Sequence, residues 1–192
     1  MPSFAQNQNI LIFGDSLSAG LGLERGEEWP SLMEKRLLDQ KLPYNIKNHS
    51  ISGETTNGGL SRFGTSLSKT DPVIVILELG ANDGLRGLSL KSMSMHLQYM
   101  LDMAHQREIK VLLVGMRLPS NYGARYTDLF YKQFTTLAEK NQVAFLPFLM
   151  QELSTSLKMY QTDGIHPTAK AQPQMMENVW TALKPLLDPH TP

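Results

Sequence analysis

The chain has 192 residues, a length typical of one domain, and it contains no cysteine, which excludes disulfides, thiolate metal sites and a cysteine nucleophile. Its 18 basic and 18 acidic residues cancel and form no long run of one sign, which argues against binding to nucleic acid or to a charged membrane surface. The apolar runs are too short to cross a bilayer, so we expect no integral membrane association.

Five short apolar runs alternate with longer segments of helical periodicity. Continuous runs rich in β-branched residues predict strands that are covered on both faces. These runs lie at residues 10–13, 44–46, 73–77, 111–114 and 143–146. Apolar stripes predict helices within residues 29–37, 97–104, 129–138 and 175–183. The alternation predicts an α/β fold in which helices cover both faces of a parallel sheet.

Residues that could serve as a nucleophile or as hydrogen-bond donors follow the first three runs, at the edge where an open parallel sheet binds its ligands. Ser16 comes just after the first run, in Gly14-Asp15-Ser16, where a strand-to-helix turn would present both its hydroxyl and its own N–H. Gly53 follows the second run and offers a closely approachable backbone N–H, and Asn82 follows the third and offers an uncharged amide donor. Taken singly, each has a plainer interpretation as a helix N-cap or a turn residue.

A carboxylate and an imidazole stand three residues apart near the C-terminus, where Asp163 and His166 can point into one cleft from a short loop. His166 can accept the proton of a serine hydroxyl while Asp163 holds the imidazole in the required tautomer. The plainer interpretation is a surface loop in which the two side chains are merely paired. Together with Ser16, Gly53 and Asn82 they supply a nucleophile, a base, an orienting carboxylate and three oxyanion donors, which is the set that acyl transfer requires.

Four blocks of the sequence resemble the signature blocks of the SGNH (GDSL) hydrolase family. The blocks are GDSLS at 14–18, SGET at 52–55, GAND at 80–83 and DGIHP at 163–167. The resemblance implies a single-domain, flavodoxin-like three-layer sandwich with about five parallel strands, no cofactor and no metal. It implies a serine hydrolase of carboxylic esters and acyl thioesters, of the arylesterase, acyl-CoA thioesterase and lysophospholipase type. Residue by residue, it predicts Ser16, Asp163 and His166 as catalytic, with Ser16, Gly53 and Asn82 forming the oxyanion hole.

The resemblance also predicts where the acyl group binds. In similar hydrolases this group lies in a groove edged by the loops after the third and fourth strands, here residues 84–87 and 117–123. The predicted substrate-binding residues are Leu85, Leu118, Pro119 and Tyr122. An anchoring role in a long loop is an equally good interpretation of Leu118 and Tyr122.

Two other functions compete with hydrolysis. A catalytically weak acyl- or glycan-binding module on the same fold is the alternative, and the intact catalytic blocks disfavour it. A nucleotide or flavin binder is disfavoured because Ser16 occupies the turn where a phosphate would lie. The predicted partner is a small-molecule acyl ester or thioester, with no nucleic acid, and the predicted state is a monomer.

The sequence divides into a flexible N-terminal segment at residues 1–9, one SGNH hydrolase domain at 10–187 and a C-terminal tail at 188–192. The first residues lack the positive-then-apolar order of a signal peptide. We therefore expect a periplasmic or secreted protein if a signal peptide has been removed, and a cytoplasmic one otherwise.

Overall fold

A five-stranded sheet forms the centre of the computed structural model, which describes residues 8–153 and 156–187. All of its strands are parallel, and their order is β2-β1-β3-β4-β5. The strands are β1 (Gln8–Gly14), β2 (Tyr44–Asn48), β3 (Pro72–Glu78), β4 (Lys110–Val114) and β5 (Ala144–Leu146). Each overlaps one of the apolar runs, which confirms the predicted α/β fold.

The first strand begins earlier than its apolar run. Gln8 pairs with Tyr44 of β2, and the Asn9 side chain donates a 2.6 Å hydrogen bond to the carbonyl of Thr70. Gln8 and Asn9 therefore belong to the sheet, and the prediction that the flexible segment extends to residue 9 is wrong for these two. The rest of that segment, residues 1–7, and the predicted tail at 188–192 lie outside the described residues.

Helices cover both faces of the sheet. They are α1 (Ser16–Ala19), α2 (Trp29–Asp39), α3 (Thr56–Thr70), α4 (Ala81–Leu85), α5 (Leu90–His105), α6 (Ala124–Asn141) and α7 (Gln172–Leu183), with short 3-10 turns at Ser120–Tyr122, Leu157–Met159, Ala169–Ala171 and Lys184–Leu186. Helices α2 and α7 pack together, whereas α5 packs between α3 and α6. Within the described ranges, no helix combines the length and the apolar character that a bilayer crossing would require.

Helix α3 is not predicted by the apolar pattern, because glycine, serine and threonine fill much of it. The Thr55 side chain caps it by accepting from the N–H of Gly58 at 3.3 Å. Phe63 and Leu67 are buried on its inner face, and Gly59 packs so closely that a Cβ there would lie 2.5 Å from the Leu79 side chain. Tight helix–sheet packing therefore replaces the broad apolar stripe that a sequence pattern can detect.

Candidate active site

The serine, histidine and aspartate selected from the sequence meet at the carboxyl edge of the sheet. Ser16 is the first residue of α1 and lies two positions after the end of β1. Its Oγ is 2.8 Å from Nε2 of His166, which is 150 positions further along the chain. Nδ1 of His166 lies 2.6 Å from Oδ2 of Asp163. The three side chains thus form one hydrogen-bonded chain.

Backbone N–H groups of its own loop orient the Asp163 carboxylate as a hydrogen-bond acceptor. Its Oδ1 accepts from the backbone N–H of Ile165 at 2.9 Å and of His166 at 3.0 Å, and Gly164, which directly follows Asp163, has a φ of 69°. The hydrogen bond from the His166 side chain, followed by these two backbone bonds, lowers the pKa of Asp163 from 3.8 to about 2. An ionised Asp163 accepts from Nδ1–H, so Nε2 of a neutral His166 is the acceptor that faces the Ser16 hydroxyl.

The three predicted oxyanion donors occupy neighbouring turns. Within the described part of the chain, neither the backbone N–H of Ser16 nor that of Gly53 donates a hydrogen bond, so both are available to a ligand. The Gly53 turn is attached to β1 by a 3.0 Å bond from Ile51 N–H to the Gly14 carbonyl, and Gly53 has a φ of 78° that favours glycine. Among the residues that the structure describes, the Asn82 Nδ2 donates one hydrogen bond to a side chain, which leaves its second hydrogen available to a ligand.

That partner of Asn82 is Asp15, a buried aspartate that is not among the predicted catalytic residues. Asp15 is completely buried; its Oδ2 accepts from Asn82 at 3.0 Å, and its Oδ1 accepts from the Leu17 N–H at 3.0 Å. Burial raises the pKa of Asp15 from 3.8 to about 6, against the opposing effect of these hydrogen bonds. Asp15 therefore fixes the Asn82 amide and also begins the helix that presents Ser16.

A second buried acid lies behind the same turn. Oε2 of Glu78, the last residue of β3, accepts from Oγ of Ser18 at 2.6 Å and from the Asp15 N–H at 3.2 Å. Its Oε1 has no hydrogen-bond partner among the described residues. Burial, and then repulsion by Asp15, raise the pKa of Glu78 well above 4.5, so this carboxyl holds a proton more tightly than a solvated glutamate. The available sequence signal was a glutamate ending an otherwise apolar strand.

An open, mainly apolar cavity of about 410 Å³ lies beside Ser16 and His166. Of the predicted substrate-binding residues, Leu85, Leu118 and Pro119 line it, whereas Tyr122 does not. The Tyr122 hydroxyl instead donates a 3.0 Å bond to the Leu85 carbonyl, so it connects the two loops that border the cavity. The wall also includes side chains that the sequence interpretation missed: Met116, Phe148, Met150, Tyr160 and Ile165.

Two arginines near the cavity have partners other than carboxylates. Nη2 of Arg86 donates to the carbonyl of Gly53 at 2.9 Å, and the Arg117 guanidinium lies 4.1 Å from the ring centroid of Tyr131. Among residues 8–153 and 156–187, no three histidine, aspartate or glutamate side chains are grouped so that they could hold a metal ion. The polar side chains that line the cavity include the Ser16 hydroxyl, the His166 imidazole and the Asn82 amide.

Comparison with known proteins agrees with this geometry. The model of the GDSL-like Lipase/Acylhydrolase family matches residues 12–172. The chain is 43% identical to "Esterase TesA" of Pseudomonas aeruginosa over 95% of this chain and 91% of that protein. It is 36% identical to "Thioesterase 1/protease 1/lysophospholipase L1" of Escherichia coli over 96% and 87%.

Solved structures extend the similarity to three dimensions. A crystal structure of TesA superposes with a TM-score of 0.91, covering 94% of this chain and all of that one, at 43% identity. The psychrotrophic esterase EstA from Pseudoalteromonas sp., inhibited by monoethylphosphonate, superposes with a TM-score of 0.89 over 93% and 98%, at 34% identity. The chain therefore belongs to the GDSL-like lipase/acylhydrolase family and is an SGNH-type ester hydrolase.

Proposed function

We propose that this hydrolase cleaves carboxylic esters and acyl thioesters through an acyl-enzyme formed on Ser16. The observation that carries the proposal is the hydrogen-bonded chain from Ser16 Oγ to His166 Nε2 and from His166 Nδ1 to Asp163, at the mouth of an apolar cavity. In this arrangement Ser16 is the nucleophile, His166 the general base and Asp163 the carboxylate that orients the imidazole.

The reaction begins when Ser16 Oγ attacks the carbonyl carbon and its proton passes to His166 Nε2. The ionised Asp163 stabilises the resulting imidazolium, and the negative oxygen of the tetrahedral intermediate accepts from the N–H groups of Ser16 and Gly53 and from the Asn82 amide. Collapse of the intermediate expels the alcohol or thiol, which takes the proton from His166. Water, activated by the same imidazole, then releases the acid and regenerates the serine.

The substrate class follows from the cavity. Leu85, Leu118 and Pro119 offer apolar surface to an acyl chain, and we assign Tyr122 a supporting part through its bond to the Leu85 carbonyl. Ester and thioester substrates share the acyl half, so one groove accommodates both. Relatives named esterase, thioesterase and lysophospholipase support this breadth, with lysophospholipid hydrolysis included.

The first experiment tests the nucleophile. The protein is incubated with an aryl acetate, a short-chain acyl-CoA and, separately, a fluorophosphonate, and the labelled peptide is identified by mass spectrometry. We expect turnover of both substrates and one adduct on Ser16, and we expect neither in Ser16→Ala. An intact protein that binds acyl ligands without turnover or labelling would favour the alternative, a catalytically weak acyl- or glycan-binding module.

The second experiment tests the groove. We expect Leu118→Ala to reduce kcat/KM for long-chain esters more than for acetates, because Leu118 lines the cavity and offers apolar surface to an acyl chain. Leu129→Ala on α6 is the matched control, since Leu129 is exposed and outside the cavity. An equal loss for long and short substrates in Leu118→Ala would show that the groove lies elsewhere.

Several expectations about the wider setting remain predictions. They are the monomeric state, the absence of a cofactor and of nucleic acid partners, and a periplasmic or secreted location if a signal peptide has been removed. Size-exclusion chromatography with light scattering tests the first of them directly.

A further inference from the structure

A buried carboxylate joins the two segments that carry the Gly53 and Asn82 donors. Asp83, in α4, accepts from the backbone N–H of Thr56 at 2.8 Å and from the Thr56 hydroxyl at 2.6 Å. Thr56 is completely buried and Asp83 is 3% exposed, so water cannot easily replace either bond. Because Thr56 is the first residue of α3, the carboxylate also lies at the positive end of a 15-residue helix.

The hydroxyl of Thr56 both donates and accepts a hydrogen bond in this network. Its single hydrogen goes to Asp83, so its 3.1 Å contact with Nδ1 of His96 places the donated hydrogen on the imidazole. Helix α5, which carries His96, is thereby joined to the same point. Three helices thus converge on one threonine side chain.

A second bond joins the same two segments from the solvent side. Arg86, directly after α4, donates to the carbonyl of Gly53 at 2.9 Å. Gly53 lies three residues before Thr56, and Asn82 immediately precedes Asp83. The turn that contains Gly53 is therefore tied to the segment that contains Asn82 at two points, by Asp83 from the interior and by Arg86 from the surface.

We propose that Asp83 and Arg86 are positioning residues that hold the Gly53 N–H and the Asn82 amide at the spacing required by a tetrahedral oxyanion. This proposal rests on the proposed function, because it assigns a role within that oxyanion hole. Neither side chain needs to touch the substrate. Their effect lies in the geometry of two donors that belong to different turns, and a misplacement of about 1 Å can cost roughly 100-fold in rate.

The test uses two threonines of the same helix. Thr56→Val keeps the shape of the side chain but removes the hydroxyl bond to Asp83, whereas Thr56→Ser retains it. Thr70→Val is the matched control, because the Thr70 hydroxyl is also buried and bonds the Ser66 carbonyl at 2.7 Å, at the opposite end of α3. At 1.5 Å per residue the two positions are about 20 Å apart.

We expect both valine variants to lower the melting temperature, and only Thr56→Val to lower kcat for a neutral aryl acetate, by about 10- to 100-fold with KM nearly unchanged. The rate of Ser16 labelling by a phosphonate should fall in parallel, and Thr56→Ser should restore both rates. A kcat for Thr56→Val equal to that of Thr70→Val would overturn the role of Asp83. A wild-type protein without Ser16-dependent turnover would instead overturn the proposed function.

Arg86→Met gives a test at an exposed position, where the fold is not at risk. We expect a several-fold lower kcat with an unchanged melting temperature. A neutral acetate ester is the substrate, so that any contact of Arg86 with a phosphate does not contribute. Wild-type kcat in Arg86→Met would overturn the part assigned to this arginine, whatever the outcome for Thr56→Val.

Discussion

Replacing Glu78 with glutamine tests whether the protein carries a protonated acid beneath its nucleophile. Glutamine has nearly the same shape, and its carbonyl oxygen can take the place of Oε2 and accept from Ser18 and from the Asp15 N–H. Its NH2 group would occupy the position of Oε1, where the glutamate has no hydrogen-bond partner among the described residues. Since a neutral glutamic acid already resembles an amide, we expect Glu78→Gln to fold and to remain active.

The magnitude follows from proton linkage. Burial raises the pKa of Glu78 in the folded state above its value of 4.5 in a solvated chain, so the folded protein keeps a proton that the unfolded chain releases. The free energy of unfolding therefore falls as pH rises above 4.5, by about 1.4 kcal/mol per pH unit, until the folded-state pKa is reached. Glutamine releases no proton, so Glu78→Gln should gain stability relative to the wild type along this slope.

Chemical denaturation at a series of pH values between about 4 and 8 measures the difference between the two proteins. The contribution of Asp163 to the pH dependence occurs in both proteins and cancels in the difference. Glu139→Gln, which changes an exposed glutamate of α6, is the control and should run parallel to the wild type. If the curve of Glu78→Gln also ran parallel to the wild type across this range, Glu78 would not hold its proton and the reasoning would fail.

Three further changes test the site and the turn beneath it. Ser16→Ala should lower kcat by at least about 10⁴-fold while the melting temperature stays within a few degrees, and substantial residual turnover would point to another nucleophile. Asp163→Asn should lower kcat by roughly 10²- to 10⁴-fold without raising KM, because an amide cannot stabilise the imidazolium; a change confined to KM would contradict this. Gly14→Ala should lower the free energy of unfolding by about 1–3 kcal/mol, since the added Cβ would lie 2.4 Å from Oε2 of Glu78 and 2.9 Å from the Glu78 carbonyl oxygen. Calorimetry that showed no loss of stability would refute this close packing.

The strands could be predicted because burial on both faces leaves a continuous apolar run, a signal that does not depend on tertiary detail. Helix α3 could not, because its inner face is built from Phe63, Leu67 and a glycine that fits against Leu79. Such packing depends on how closely a helix approaches the sheet, which residue types alone do not specify. The extension of β1 to Gln8 was missed for a related reason: backbone pairing with β2 includes polar residues that no apolar pattern marks.

The site likewise contains residues that could be predicted from the sequence and residues that could not. Ser16, Asp163 and His166 could be selected because together they are the residue types of a serine hydrolase triad. Ser16 follows a strand, and Asp163 and His166 lie on a short loop near the C-terminus. The hydrogen bond from Asn82 to Asp15, and the one from the Asp15 N–H to Glu78, depend on side-chain directions across two strands. Met116, Phe148, Met150 and Tyr160 of the cavity wall were missed because they lie on the connections that follow β4 and β5, outside the four signature blocks.

The strand order explains why the base needs more support than the nucleophile. Ser16 and Asn82 follow β1 and β3, which are neighbours, so the sheet itself brings them together. Strand β5 lies three places from β1, about 14 Å away, and the chain must return across the sheet edge to bring His166 to Ser16. Gln161 secures that return: its N–H donates to the His166 carbonyl at 2.8 Å, and its Nε2 donates to the Leu21 carbonyl, just beyond α1, at 2.7 Å. The 2.8 Å contact between hydroxyl and imidazole is thus maintained by loop-to-loop hydrogen bonds rather than by the sheet, which makes this loop the segment whose local opening would first separate base from nucleophile.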